Sequence, residues 1–295
     1  MILRYFFNIP AITLFLLSST SANATLFEDF DGGGTTPFTL TNTSGGAPSI
    51  IGGGPSGNFL RLTNLNGSNN NSIAFDEEAS QTGPAPTGLV LSFDFRMTDD
   101  ATNAAAGGCC GSAADGLGIG IFSTATYGST GGSNPGAGGG IWERPSFADA
   151  FTIGLDIFQN IDVVNLNWAG VQITEIDVGL SFGLDLNDNI FHRAIVTINP
   201  DAGNALVNMD IISDVFGTPS TQNIFTDQAI AGLDLTSLPN YRLIAGGRTG
   251  GAFTEGDMDN ISLASIPTSV PEPATLVLLG LGLAGIGFAR KKKQI

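Results

Sequence analysis

The chain has 295 residues, of which 41 are glycine, 14 are proline and only 13% are charged, against about 25% charged in ordinary domains. This composition excludes a body of long helices and favours a loop-rich one, while an apolar content of 42% is enough to bury a core. Residues 25–270 carry six arginines and no lysine against 26 acids, a net charge of −20. Phosphate contacts need clustered Lys and Arg, so nucleic acid is excluded as a partner, and cations or neutral ligands are favoured.

In chain order, residues 1–24 read as a signal peptide. Arg4 precedes an apolar stretch over 5–17, and Ala22-Asn23-Ala24 is a small-x-small cleavage pattern, so the mature chain is expected to begin near Thr25. Strand patterning follows. Leu89, Leu91, Phe93, Phe95 and Met97 alternate with Val90, Ser92, Asp94 and Arg96, the period of two of a strand with one buried face. Leu117, Ile119 and Ile121 alternate with Gly116, Gly118 and Gly120, so one face is apolar and the other lets something approach the backbone. Phe151, Ile153, Leu155 and Ile157 alternate with Thr152, Gly154 and Asp156. Further strands are expected at 59–63, 72–76, 171–176, 178–182, 191–198, 205–211, 241–245 and 258–263, with 222–231 as the one helical segment.

Short strands between Gly, Asn, Pro and Ser turns make the body, residues 25–266, an all-β sandwich or jelly roll. The strands at 89–97 and 151–157 are expected to be central, and 258–263 to close beside 26–30. Three polar, Gly-rich loops are expected at 32–55, 98–113 and 123–140; loops of that length are functional or disordered. Adjacent Cys109 and Cys110 belong to a chain expected in an oxidising compartment. A vicinal disulfide stiffening this loop is preferred to crosslinks between molecules.

The last 29 residues, 267–295, read as an address. Val270-Pro271-Glu272-Pro273-Ala274 precedes an apolar segment at 275–289, short for a span of about 20 residues, and the basic block 290–293 follows. By the positive-inside rule the basic end stays cytoplasmic and the body lies outside. The Pro-Glu-Pro triplet, the short Gly-rich transmembrane helix and the basic end resemble the PEP-CTERM sorting tail of Gram-negative bacteria. That resemblance implies recognition by an exosortase, removal of the tail and export to the outer surface or extracellular matrix; an ordinary tail anchor is the alternative.

The body carries a second resemblance. Phe59-Leu60-Arg61-Leu62-Thr63, the strand 89–97, Ala114-Asp115-Gly116-Leu117-Gly118-Ile119-Gly120-Ile121-Phe122, Gly138-Gly139-Gly140-Ile141, Ile153-Gly154-Leu155-Asp156-Ile157-Phe158-Gln159-Asn160, His192-Arg193-Ala194-Ile195-Val196, Arg248-Thr249-Gly250-Gly251 and Asp259-Asn260-Ile261 occur in the order of the legume-type (L-type) lectins. The fold this implies is the concanavalin A-like jelly roll. By position, Asp115 would accept hydrogen bonds from sugar hydroxyls, the amide of Gly139 would donate one, and Asn160 would bind both sugar and calcium. A carboxylate and an amide can fix a neutral polyol without basic residues; the plain alternative is that Asp115-Gly116 only turns the chain into its strand. The resemblance also implies a cis Ala114–Asp115 peptide.

Calcium, bound by six to eight oxygens, would be held by Asp156, Asn160 and Asp162. Where the family has its manganese-binding Glu this chain has Gly154, and where it has His the nearest residue is Asn165, so no transition metal is expected. Asp185-Leu186-Asn187-Asp188-Asn189 is a second oxygen-rich loop without a closing acid, and reads as a plain turn. Enzymes of this fold use a Glu-x-Asp-x-x-Glu arrangement; those slots hold Gly154, Asp156 and Gln159, so catalysis is not expected. The lone His192 reads as a strand-start residue, and no Gly-x-Ser-x-Gly elbow occurs. Two functions follow from the sequence: a carbohydrate-binding protein attached to glycan or exopolysaccharide at the cell envelope, or a structural matrix protein with a degenerate lectin site. Glycoside hydrolysis is a third, weaker reading.

Overall fold

The computed structural model describes residues 23–76, 87–137, 141–159, 161–235 and 240–266. The expected signal peptide up to residue 22, the tail 267–295 where a helix is expected, and the expected site residues Gly139 and Asn160 lie outside these. The elements in chain order are β1 (Asn23–Glu28), β2 (Phe38–Ser44), β3 (Ser49–Ile51), β4 (Phe59–Thr63), β5 (Asn70–Phe75), β6 (Leu89–Met97), α1 (Asp100–Ala105), β7 (Gly116–Ser123) and α2 (Thr124–Tyr127). They continue with β8 (Ala150–Asp156), β9 (Val163–Trp168), β10 (Val171–Asp177), α3 (Val178–Phe182), β11 (His192–Asp201), β12 (Asn204–Ser213), β13 (Ser220–Ile230), β14 (Tyr241–Arg248) and β15 (Gly256–Ser265).

These strands form two antiparallel sheets. One has eight strands in the order β13-β12-β11-β6-β15-β4-β3, with β1 also on β15; the other has seven, β10-β9-β8-β7-β14-β5-β2. As expected from alternation, β6 is interior to the first sheet and β8 to the second, and Leu26 to Glu28 pair with Leu263 to Ile261. Leu89, Leu91, Phe93, Phe95 and Met97 of β6 face Leu117, Ile119 and Ile121 of β7 and Phe151, Ile153 and Leu155 of β8 in one core. Burying each such side chain contributes about 1.5–3 kcal/mol.

Two expectations are corrected. Residues 178–182 are not a strand but the short helix α3: Asp177 caps it, its Oδ1 accepting from the Leu180 amide at 2.7 Å, and Gly183 ends it in the left-handed conformation. Residues 222–231 are not helical; 222–230 belong to edge strand β13, whose pairing with β12 shifts register twice and whose Asp227 has φ of 47°, and 231 begins a turn. Such irregularity breaks the period of two that would have revealed the strand. The expected loop 32–55 holds β2 and β3, and β9 lay hidden behind Asn165 and Asn167, turn-forming residues that are here buried in a strand.

The glycines of β7 have a partner of their own. Gly246 of β14, Gly118 of β7, Gly154 of β8 and Asn165 of β9 stand in one row across four adjacent strands of the seven-stranded sheet. A side chain at Gly246 would meet the Trp142 ring, one at Gly118 the Trp142 carbonyl, and one at Gly154 the Glu143 carbonyl, all at distances real Cβ atoms do not show. The group that approaches the bare face is therefore the chain's own segment Trp142-Glu143-Arg144, which we call the strap. Trp142 is fully buried and, with Ala74, Phe122, Phe147, Ala150 and Ile244, makes a small satellite core on this face.

Candidate functional site

Asp115 stands immediately before β7, held between the ends of two neighbouring strands. Its amide donates to the Arg248 carbonyl at 3.2 Å, and its carbonyl accepts from the Ile157 amide at 3.1 Å. The Ala114–Asp115 peptide is cis. Arg248, Gly116 and Asp156 form a second row across β14, β7 and β8. A Cβ on Gly116 would lie 2.9 Å from that of Glu143, so the Glu143 side chain leaves the strap over Gly116, between Arg248 and Asp156.

Three polar side chains converge here. Arg248 Nη2 donates to Glu143 Oε1 at 2.7 Å and lies 3.3 Å from Asp115 Oδ2. Asp115 and Glu143 are buried, and Asp115 Oδ2, Glu143 Oε2 and Arg248 Nε make no hydrogen bond. Burial lifts the Asp115 carboxyl above its ordinary range, against the nearby Arg248 charge. Burial likewise pushes Glu143 up to about 7, although a backbone hydrogen bond and Arg248 oppose it. A carboxylate excess in a dry setting is thus balanced by one guanidinium.

The rim of the site is built from loops. A Cβ on Gly250 would sit 3.5 Å from Asp115 Oδ2, and the next residue, Gly251, accepts from the Cys109 amide at 2.9 Å. Cys109 and Cys110 are joined to each other, and both are exposed. On the opposite side Phe158, 37% exposed, follows Asp156. Glu143, Arg248 and Phe158 were not singled out from sequence. The signal for Phe158 was an aromatic residue in a polar loop; for the ion pair there was none, because its partners are 105 residues apart.

Of the expected calcium set, Asp156 and Asp162 are described and Asn160 lies outside the described residues. Asp156 Oδ2 accepts from Arg144 Nε at 2.5 Å and its Oδ1 from the Phe158 amide at 3.0 Å, so an ion on this carboxylate would have to displace Arg144. The Asp162 carboxylate has other partners: Oδ1 accepts from the Leu186 amide at 2.9 Å, and its pKa is pushed up to about 6 by burial and then by Asp185, Asp177 and Asp100. Among the described residues no group of three His, Cys, Asp or Glu side chains is placed to hold a metal ion. Of the two expected calcium ligands that are described, each carboxylate has a protein donor of its own. Asp185 and Asp188 cap turns, accepting from the amides of Asn187 and Ile190, and buried His192 opens β11 with Nε2 3.1 Å from Asp188 Oδ1.

Against known structures, the chain is similar to lectin II from Ulex europaeus, with 12% identity and a TM-score of 0.53 over 83% of this chain and 99% of that one. It is also similar to peanut lectin with a nine-residue peptide, at 16% identity and a TM-score of 0.52 over 83% and 97%. Winged bean acidic lectin complexed with methyl-α-D-galactose matches at 15% identity and a TM-score of 0.50 over 83% and 99%. The body has the legume lectin fold. Residues 269–292 match the PEP-CTERM protein-sorting motif, which marks the chain for export to the cell envelope. No curated protein matches the chain. Gly154 and Asn165, the positions that the sequence resemblance sets against transition-metal ligands, both lie under the strap: the Glu143 carbonyl fills the space over Gly154 and accepts from Asn165 Nδ2 at 2.8 Å.

Proposed function

We propose that the protein is an exported, lectin-like carbohydrate-binding protein whose ligand site centres on Asp115. The observation that carries this reading is the set of buried atoms beside the start of β7 that make no hydrogen bond: Asp115 Oδ2, which has only the Arg248 ion pair, Glu143 Oε2 and Arg248 Nε. Buried polar groups are normally satisfied, and stranding one costs about 1–3 kcal/mol. Two acceptors and one donor suit a pair of sugar hydroxyls, each of which both donates and accepts. An ammonium or a phosphate would satisfy only one kind. Phe158 offers an apolar surface for the C–H face of a sugar ring beside them.

In this reading Gly139 and Asn160 contribute an amide and a side chain to the same ligand, as in the lectin resemblance, and residues 25–266 are the functional unit between a signal peptide and the sorting tail. Calcium is left out, because Arg144 already supplies the positive charge on Asp156. The tail, with its short membrane helix, directs the chain to an exosortase. The mature body then acts at the outer surface or in the extracellular matrix of a Gram-negative cell, where exopolysaccharide is the ligand at hand in a biofilm. No catalytic role is proposed, since Gly154 and Gln159 replace both carboxylates that the glucanases of this fold would need.

One observation favours the structural-matrix alternative: Arg248 already bridges the two carboxylates and so answers part of their demand from within. Co-sedimentation of the purified protein with insoluble polysaccharides separates the readings. Retention that is lost on adding the matching free sugar is expected; no retention on any polysaccharide leaves the structural role.

A further inference from the structure

The strap covers Gly154, Asn165 and Asp156, the described positions for which the lectin resemblance implies metal ligands, and it meets them with different groups. Over the row Gly246, Gly118, Gly154, Asn165 it presents backbone: the Glu143 carbonyl accepts from Asn165 Nδ2 at 2.8 Å and fills the volume that a side chain at 154 would need. One residue later it presents charge: Arg144 Nε donates to Asp156 Oδ2 at 2.5 Å, and Nη1 to Glu175 Oε2 at 2.8 Å. Asp156 is 4% exposed and its other oxygen takes the Phe158 amide, so the carboxylate links the guanidinium to the loop that carries Phe158.

We propose that the dipeptide Glu143-Arg144 is a built-in replacement for a metal centre, its carbonyl and guanidinium holding Asn165 and Asp156 so that the Asp156–Phe158 turn is fixed without any metal ion. The physical case rests on what each group must supply. Asp156, taken out of water, needs a positive partner, and a guanidinium is charged at every accessible pH and gives several donors in a fixed plane. The glycine at 154 is then required rather than incidental, because only a residue without a side chain lets the strap carbonyl reach Asn165. Arg144 is tied down at both ends of its guanidinium, by Asp156 on β8 and by Glu175 on β10, so it spans the strand between them as a bound ion would.

The inference depends on the legume lectin fold and not on sugar binding, and its test reads stability and metal affinity. Wild-type protein titrated with calcium in a calorimeter is expected to give no binding heat, and its Tm is expected to be the same in excess calcium as in excess EDTA. Arg144→Ala should lower Tm by roughly 4–10 °C, since removing one partner leaves Asp156 buried and uncompensated, and should speed hydrogen exchange at the Phe158 amide. Arg144→Lys, which keeps the charge but not the two-ended fork, should fall between. Calcium binding by the wild type, or a calcium-induced rise in its Tm, would overturn the proposal, as would an Arg144→Ala variant that melts like wild type. If that variant does not fold, the wild-type calcium titration still decides. A protein that passes these tests and binds no glycan would keep its internal substitute and lose only the lectin reading.

Discussion

Asp115 and Arg248 are joined twice, by the Asp115 amide on the Arg248 carbonyl at 3.2 Å and by the Arg248 guanidinium 3.3 Å from the Asp115 carboxylate. The same guanidinium holds Glu143, so it is the shared counter-charge of two buried acids. Arg248→Ala should therefore destabilise by about 1–3 kcal/mol, a buried-pair cost discounted because Arg248 is itself part exposed. The loss should be larger at pH 8 than at pH 5, where Glu143 is protonated and needs no partner. Urea unfolding at the two pH values measures it.

Glu143 gives a pH dependence of defined sign. Its pKa is about 7 in the fold and 4.5 in its absence, so the native state holds a proton that the unfolded chain has given up between those values. Its contribution to stability is full below about pH 4.5 and is lost as pH rises through 7, amounting to at most about 3 kcal/mol. Asp162 and Asp259, each raised to about 6, act in the same direction. Thermal melts should show stability rising from pH 7.5 towards pH 5, and Glu143→Gln should flatten part of that slope. A wild-type profile that falls over this interval would contradict the assignment.

Trp142 carries the strap. It is fully buried over Gly246, with ring contacts to Phe122 and Phe147. Trp142→Ala should cost about 3–5 kcal/mol, the usual range for emptying a large aromatic site, and should release Glu143 and Arg144 together. Equilibrium unfolding gives the first, and faster hydrogen exchange at the Phe158 amide would report the second.

How far the sequence could be read follows from what kind of contact shapes each part. The core strands β6, β7 and β8 were legible because alternation is local, and the glycine alternation of β7 announced a close approach. What came close was not legible: the strap reaches Gly154 and Asn165 from 11 and 22 residues away. Asp115 stands out in the sequence only by its resemblance to a lectin position, whereas Glu143 and Arg248 meet only because β14 lies beside β7. The error at 178–182 arose because Val-Gly-Leu-Ser-Phe alternates well enough for a strand; the Asp177 cap and the left-handed Gly183 decide for helix. The error at 222–231 has the opposite cause, a real strand whose bulges erase its period. Spacing shows which oxygens lie near one another; it does not show that Arg144 already donates to one of them, Asp156.

The central claim is that Asp115 anchors a glycan, and a glycan array probed with the purified protein and its Asp115→Asn variant, each in calcium and in chelator, tests it most directly. The account predicts that wild type binds a defined set of glycans equally in both buffers. Asp115→Asn should lose about 1–3 kcal/mol of that affinity, roughly fivefold to 150-fold, with no drop in Tm, because burial already disfavours the charged form of this carboxyl. Wild type that binds no glycan, or a binding pattern that Asp115→Asn leaves unchanged, would contradict it.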